Sequence, residues 1–575
     1  MHIDGTPAII LVGKLRKTTQ RDRIDIEWMS KEPDREPSND HQRLASAANT
    51  VSLVVMGSRV LGLAREQVFA YFFGAGYIKD AFDVAFQIPN TLRDLFAEGA
   101  LSAAFVKTFS DYRVNRGEDE AWKLASTVFI AVTALLGLVS LAGVLLSPYI
   151  VRAIAPGFPP DKLNLSIKMT RIMFPFLLLV TLAAVAMAAL NSRDRFGIPA
   201  SASSFFNVGS IVGGLLFAFW FSGGGWVNPG DPRATPSQYA QNAFVGMAIG
   251  TLVGGALQFI VQTPCLWRLG FRFSWRPAFS DPGIRRILSL MAPAVLGVAA
   301  VQANVFTDTF FASSIPGGRG WLSYSFRLMQ FPIGVFGVAT GAAVLPALSR
   351  HAAKDDIGMF RKTLSSSLNR CFLLTVPSAC GLMLLGEPII RLLYQHGEFT
   401  ANDTQMVTWA LRGWAFGLVA YSGIKILAPA FYALDDPVKP AIVSVASIVV
   451  NAVTDYYFKK WLTPSGIGHA GLALSTSCVA ITNFFVLAIM MRRKIGRIDG
   501  RRILSASGRV ILAASFMSVT AYCSHLFALK VAGDASLFAR DLDVIGPIAV
   551  GGAVFVLIAK LLNLNELDSM ISALL

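Results

Sequence analysis

An all-α polytopic membrane protein with about fourteen transmembrane helices is the fold class this sequence predicts, and three observations predict it. The 575 residues are 54% hydrophobic and 15% charged, with a mean hydropathy of +0.53, a balance that soluble domains do not show. Apolar runs of about twenty residues, each able to cross a hydrocarbon core of about 30 Å as a helix, recur from residue 45 to the C-terminus. Lysine and arginine collect in alternate connections, namely the N-terminus, 107–123, 191–198, 266–286, 350–370 and 492–509, which exceed the other set roughly three to one. Both termini are therefore expected on the cytoplasmic side of the membrane. The same distribution accounts for the net charge of +15, so nucleic acid is not an expected partner.

Residues 1–44 open the chain. Lys14, Arg16, Lys17, Arg21, Arg23 and the stretch SKEPDREPSND give a composition too polar to bury a core, read as a disordered cytoplasmic tail. PAIILVG precedes the basic cluster instead of following it, so no signal peptide is read, and Met29 is an alternative start. Spans follow at 45–73, 81–106, 124–150, 168–190, 199–222 and 243–265, then at 286–314, 321–348, 367–390, 406–431, 438–461 and 467–491, and finally at 506–530 and 541–562.

The two sets of six repeat each other. Pro199-Ala200 returns as Pro440-Ala441, 241 residues on; Gly157 of APGF returns as Gly397 of QHGEF, 240 on; Gly99 returns as Gly341, 242 on. An even number of spans per unit makes the copies enter the membrane in the same sense. The expectation is two parallel six-helix lobes, 45–265 and 266–491, around a central cavity, with an appended pair in 492–575.

The first two spans carry charge where lipid is expensive. In SRVLGLAREQVFAYFFGAG, Ser58, Arg59, Gly62, Arg65 and Glu66 fall in one wedge of a helix turning about 100° per residue. A charge at mid-membrane costs about 2.5–3.5 kcal/mol, so this wedge should face protein or water. In the second span Asp83, Gln87, Asn90, Asp94 and Glu98 share an arc of roughly 80°, with Arg93 beside it and Pro89 within it. This face too is expected to be wet. Arg327 and Lys425 bring cations from the second lobe. Guanidinium forks match phosphate oxygens, so Arg59, Arg65, Arg93 and Arg327 around one hollow would make a pyrophosphate site. The alternative is internal pairing, Arg59 with Glu66 and Arg93 with Asp94.

Asn451 and Asp455 stand one turn apart; with Asp308 and a hydroxyl from Ser475 or Thr476 they would offer hard oxygen ligands to a small cation such as sodium. The five cysteines lack metal spacing and read as buried hydrophobes, and the six histidines read as surface groups. Nucleotide-hydrolysis, nucleophile-elbow and HExxH motifs are missing, so no enzyme and no cofactor is read.

The stretch SRVLGLAREQVFAYFFGAG with DAFDVAFQIPNTLRDLFAEGALSAAFV, followed in order by APGF, FRLMQFPIGVFGVA, LLYQHGEFTA and KILAPAFYA, resembles the MurJ (MviN) family of bacterial lipid II flippases, within the multidrug/oligosaccharidyl-lipid/polysaccharide exporter superfamily. The resemblance implies fourteen helices, a cationic cavity and alternating-access transfer of lipid II, undecaprenyl-diphosphate-linked disaccharide-pentapeptide, to the periplasmic leaflet for peptidoglycan synthesis. It implies membrane lipids and the cell-wall synthesis machinery as partners. It places Ser58, Arg59, Arg65, Asp80, Asn90, Arg93, Glu98 and Arg327 at the cavity or its gates, and Asp308, Asn451 and Asp455, with Thr476, at a sodium site. Asp94, Phe326 and Lys107 depart from the family pattern, as does the long loop SGGGWVNPGDPRATPSQ. Competing expectations are a polysaccharide-lipid or drug exporter of the same superfamily, an enzyme acting on polyprenyl diphosphates, and a non-transporting scaffold.

Overall fold

A chain in lipid has no water to satisfy its peptide groups, which leaves helices or a closed barrel; every element among the described residues is helical. The computed structural model describes residues 37–96, 100–193, 195–223, 238–496, 500–533, 536–564 and 566–567. Residues 1–53 and 54–575 form separate compact units, and everything below concerns the second. The expected tail lies outside the described residues as far as residue 36, and its last residues already belong to a helix that opens at Pro37, a residue whose missing N–H costs nothing in a first turn.

In chain order the helices are α1 (Pro37–Phe73), α2 (Tyr77–Phe96), α3 (Ala100–Arg116), α4 (Glu118–Ile154), α5 (Pro160–Met173), α6 (Phe176–Asn191), α7 (Gly197–Phe221), α8 (Gln238–Ile260), α9 (Thr263–Arg268), α10 (Pro282–Ala312), α11 (Gly318–Pro332), α12 (Ala339–Ala353), α13 (Ile357–Tyr394), α14 (Ala401–Ala433), α15 (Val438–Leu462), α16 (Gly468–Ile495), α17 (Gly500–Ala532) and α18 (Leu537–Leu561). Among the described residues, 11 helical stretches are long and apolar enough to cross a membrane. The other three expected spans coincide with α1, with α2 and α3, and with α10. Leu138, Leu145, Trp220, Val449 and Val519 are exposed on the outer surface, which makes sense where lipid is the solvent.

Four expected spans are interrupted, the sixth between Ile260 and Thr263 where α8 gives way to α9. The second divides into α2 and α3, with 97–99 outside the described residues. The fourth breaks between Met173 and Phe176, where Pro175 lacks the N–H a continuous ladder needs. The eighth passes from α11 through a π-helical turn, Ile333–Val338, into α12. Such turns widen a helix locally and recur at functional sites.

The repeat has a physical counterpart. The Gly157 N–H donates to Ser313 Oγ at 3.1 Å, and the Glu398 N–H, next to Gly397, donates to the Tyr71 carbonyl at 2.9 Å. Tyr71 and Ser313 are 242 residues apart, Gly157 and Gly397 240 apart. Each half thus seats a loop glycine on the helix end of the other. Gly397 has φ +58, and a Cβ there would lie 2.2 Å from the Tyr71 carbonyl oxygen, so both backbone and space demand glycine. The appended helices α17 and α18 pack on α13 through Leu368, Phe372, Val510, Met517 and Phe555.

Candidate functional site

Glu66 is the centre of the cationic cluster. Its Oε1 accepts from Arg65 Nη2 at 3.2 Å and from Arg327 Nη2 at 3.1 Å, while Oε2 lies 3.6 Å from Lys79 Nζ. Three elements deliver these groups: α1 brings Arg65 and Glu66, α2 brings Lys79, and α11 brings Arg327 just before the π turn. The Glu66 side chain is 9% exposed and Arg65 12%, whereas Arg327 is 44% exposed. A guanidinium that open within a span needs water on its open side. Arg65 also stacks over the Phe206 ring at 5.2 Å.

The polar wedge of α1 therefore meets protein at one edge and an open margin at the other. Ser58 is buried, and its carbonyl accepts from Asn207 Nδ2 at 3.1 Å. Arg59 is exposed, and a Cβ on Gly334 would sit 2.2 Å from its Nη1; Gly334, in the π turn, leaves room for that guanidinium. Arg59 does not pair with Glu66, which is occupied by Arg65, Lys79 and Arg327. Arg93 does pair with Asp94, at 2.9 Å.

The second span departs from the expected wet face. Gln87 Oε1 accepts from Thr309 Oγ1 at 2.8 Å and its Nε2 donates to the Val305 carbonyl at 3.3 Å. Asp94 Oδ2 accepts from Gln302 Nε2 at 2.8 Å, and Thr91 Oγ1 donates to Gln302 Oε1 at 3.2 Å. Much of that arc is a hydrogen-bonded seam between α2 and α10, because polar side chains inside a membrane protein satisfy one another across helices. Asn90 is half-buried. Glu98 lies outside the described residues.

Asp80 belongs to neither the seam nor the cluster. It is fully buried, with Oδ2 2.5 Å from Lys162 Nζ and 2.9 Å from the Gly317 nitrogen, and Oδ1 2.7 Å from the Gly320 nitrogen. It caps the N-terminus of α11 from another helix, where orphan amides and the helix dipole favour an anion. With Tyr324 Oη donating to the Gly74 carbonyl at 3.1 Å and the Gly157 and Gly397 contacts, it seals one end of the molecule. Lys79 and Lys162 escaped the sequence reading; the signal available was the spacing of Lys79 four residues before Asp83.

The oxygen cluster sits between α10, α15 and α16. Asn451 Nδ2 donates to Asp308 Oδ1 at 2.7 Å and to Asp455 Oδ2 at 3.2 Å, and Thr476 Oγ1 lies 3.3 Å from both Asp308 oxygens. Ser475, which bonds Thr454 at 2.6 Å, also reaches the Asp455 carboxylate. Asn451 Oδ1 and Asp455 Oδ1 are buried without a partner. Unused buried oxygens beside two carboxylates fit a small hard cation. Among the described residues, no group of three His, Cys, Asp or Glu side chains forms a metal-binding set. Two sequence expectations need correction. His469 is fully buried, bonded to the Met406 carbonyl at 2.8 Å, and Cys523 is exposed.

Comparison with known proteins adds to this geometry. The family model described as lipid II flippase MurJ matches residues 69–537. A Burkholderia cenocepacia protein named lipid II flippase MurJ is 35% identical over 458 residues, 78% of this chain and 84% of that protein. A Rhizobium meliloti protein named probable lipid II flippase MurJ is 31% identical over 516 residues, 89% and 92% of the two chains. Among solved structures, a lipid II flippase MurJ in an inward closed conformation superimposes with a TM-score of 0.70 at 24% identity, covering 90% of this chain and 99% of that one. An inward-facing multidrug resistance MATE transporter of the MOP superfamily gives 0.64 at 14% identity, covering 79% and 99%. The two structural likenesses speak for the fold alone.

Proposed function

The chain belongs to the MurJ family of lipid II flippases, and from that premise we propose that it moves lipid II from the cytoplasmic to the periplasmic leaflet of the inner membrane by alternating access. The observation that carries the reading is the convergence of Arg65, Lys79 and Arg327 on one carboxylate, with Arg327 open beside them. In the absence of substrate Glu66 occupies the place of an anion. The diphosphate competes for Arg65 and Arg327, Arg59 at the open margin adds a further fork, and charge neutralisation lets the headgroup enter while the polyprenyl tail stays in lipid.

In this reading both termini are cytoplasmic, the sealed end built on Asp80, Gly157 and Gly397 is periplasmic, and residues 45–265 and 266–491 rock as two parallel lobes about the cluster. Asp308, Asn451, Asp455 and Thr476 hold the coupling cation, sodium being the natural candidate for an all-oxygen set. Two carboxylates buried together require a counter-charge, so entry of a cation from the periplasm resets the carrier through its different affinity for the two states.

Reconstitution in liposomes with labelled lipid II, with and without a sodium gradient, tests the proposal. Arg59→Ala and Arg327→Ala should each slow transfer at least tenfold, the scale of one charge-assisted contact. Unchanged rates in both variants would overturn it.

A further inference from the structure

Lys79 has contacts that the transport reading leaves unused. Its Nζ lies 2.5 Å from Asp83 Oδ1 and 3.6 Å from Glu66 Oε2, and all three side chains are under 10% exposed. Asp83 Oδ2 is buried without a partner. The same ammonium stands 4.9 Å over the Tyr324 ring, whose hydroxyl closes on the Gly74 carbonyl. The lysine stem lies against α11, since a Cβ on Gly320 would approach its Cγ to 3.1 Å, and Gly320 is one of the two amides held by Asp80. Lys79 therefore touches the Glu66 cluster with its tip and the sealed end with its tip and stem.

The ion-paired groups are Arg65, Arg327 and Lys79 against Glu66 and Asp83, with Arg319 acting on Asp83 and Arg93 on Arg65 from further off, so an anionic ligand must compete with Glu66 for the two guanidiniums. A diphosphate that takes both guanidiniums must leave Glu66, buried and ionised, with another partner. Only Lys79 is in reach among the cations of this cluster, and Asp83 already holds it.

We propose that Lys79 is a positioning residue for diphosphate capture: it receives Glu66 when the ligand displaces that carboxylate from Arg65 and Arg327. The 3.6 Å contact then shortens to become the main ion pair of Glu66, and Asp83 yields part of its hold. Because the ammonium also covers Tyr324, occupancy of the cluster alters the packing of the sealed end. The step is a rearrangement of ion pairs with no proton transferred. It rests on the diphosphate reading given above, and it assigns Lys79 and Asp83 roles which that reading does not require.

The test uses the full chain in lipid nanodiscs, with a polyprenyl diphosphate as probe and the corresponding monophosphate as comparison. Lys79→Met should weaken diphosphate binding about tenfold and Glu66→Gln should tighten it by a similar factor, each the scale of one charge-assisted contact. In the Glu66→Gln background Lys79→Met should change binding less than about twofold, because residues coupled in one network are not additive. Lys79→Arg should restore binding. Since Lys79→Met strands Asp83, the cycle is repeated with Lys79→Met/Asp83→Asn, which leaves the net charge of the site unchanged. Equal weakening by Lys79→Met in both backgrounds, or weaker binding by Glu66→Gln, would overturn the proposal while leaving the diphosphate reading intact. A wild-type chain that binds diphosphate no better than monophosphate would sink that reading first.

Discussion

Two buried carboxylate sites in this molecule have opposite surroundings. Around Glu66 stand three cations within 3.6 Å; around Asp308 and Asp455 stand an amide and hydroxyls, with oxygens to spare. The first site has positive charge in excess and an open flank at Arg327. The second has negative charge in excess and is closed. A buried charge is tolerated only when compensated, which is why the proposed reading gives an anion to the first and a cation to the second. Asp80 supplies the contrast to both, a carboxylate whose ammonium and two backbone amides leave it nothing to bind.

The sharpest way to break the comparison is to remove the cations. Arg65→Ala/Arg327→Ala deletes two charge-assisted contacts of about 1.5–3 kcal/mol each, and diphosphate-lipid binding should fall by about 10² to 10⁴ while sodium-dependent thermal stabilisation persists. Asp80→Asn strands Lys162 in the interior at a cost of about 3–5 kcal/mol. Its expected result is a lower thermal midpoint, with diphosphate-lipid binding at Arg65 and Arg327 unaltered. Asp308→Asn should leave diphosphate binding within about twofold yet abolish the response of transfer rate to a sodium gradient, a coupling typically worth about 1–3 kcal/mol. If the gradient response survives, the oxygen cluster is not the coupling site.

The smallest effect belongs to a carboxylate in a connection outside the spanning helices. Asp436, in the connection between α14 and α15, accepts from Lys439 at 2.8 Å and Lys494 at 2.7 Å, and these hydrogen bonds, Lys439 first, hold its carboxyl down to about 2. Its folded value is depressed, so its contribution is complete above the ordinary aspartate range and disappears as pH falls toward about 2. At neutral pH and high salt, Asp436→Asn should leave the thermal midpoint unchanged within error, because exposed ion pairs are screened.

Much of this was readable in the chain itself. Length and spacing of apolar runs announce spanning helices, since lipid admits few other structures, and the recurrence of Gly157 as Gly397 marks the two loops that seat on the opposite halves, while their seats, Ser313 and Tyr71, came from the structure. Helical periodicity also placed Ser58, Arg59, Arg65 and Glu66 on one wedge and put Asn451 one turn from Asp455. Partner choice was beyond its reach. Arg93 pairs with its neighbour Asp94, whereas Arg65 shares Glu66 with a residue 261 positions away from that carboxylate, and the second-span polar face became a seam with α10 instead of a wall of water. Periodicity fixes direction around one helix axis; which neighbour meets that face depends on the packing of other helices. The sequence by itself determined that charge would be buried in a membrane and on which helix faces. Only the tertiary structure decided which charges cancel and which remain to bind, because compensation acts over a few ångströms in space and is blind to distance along the chain.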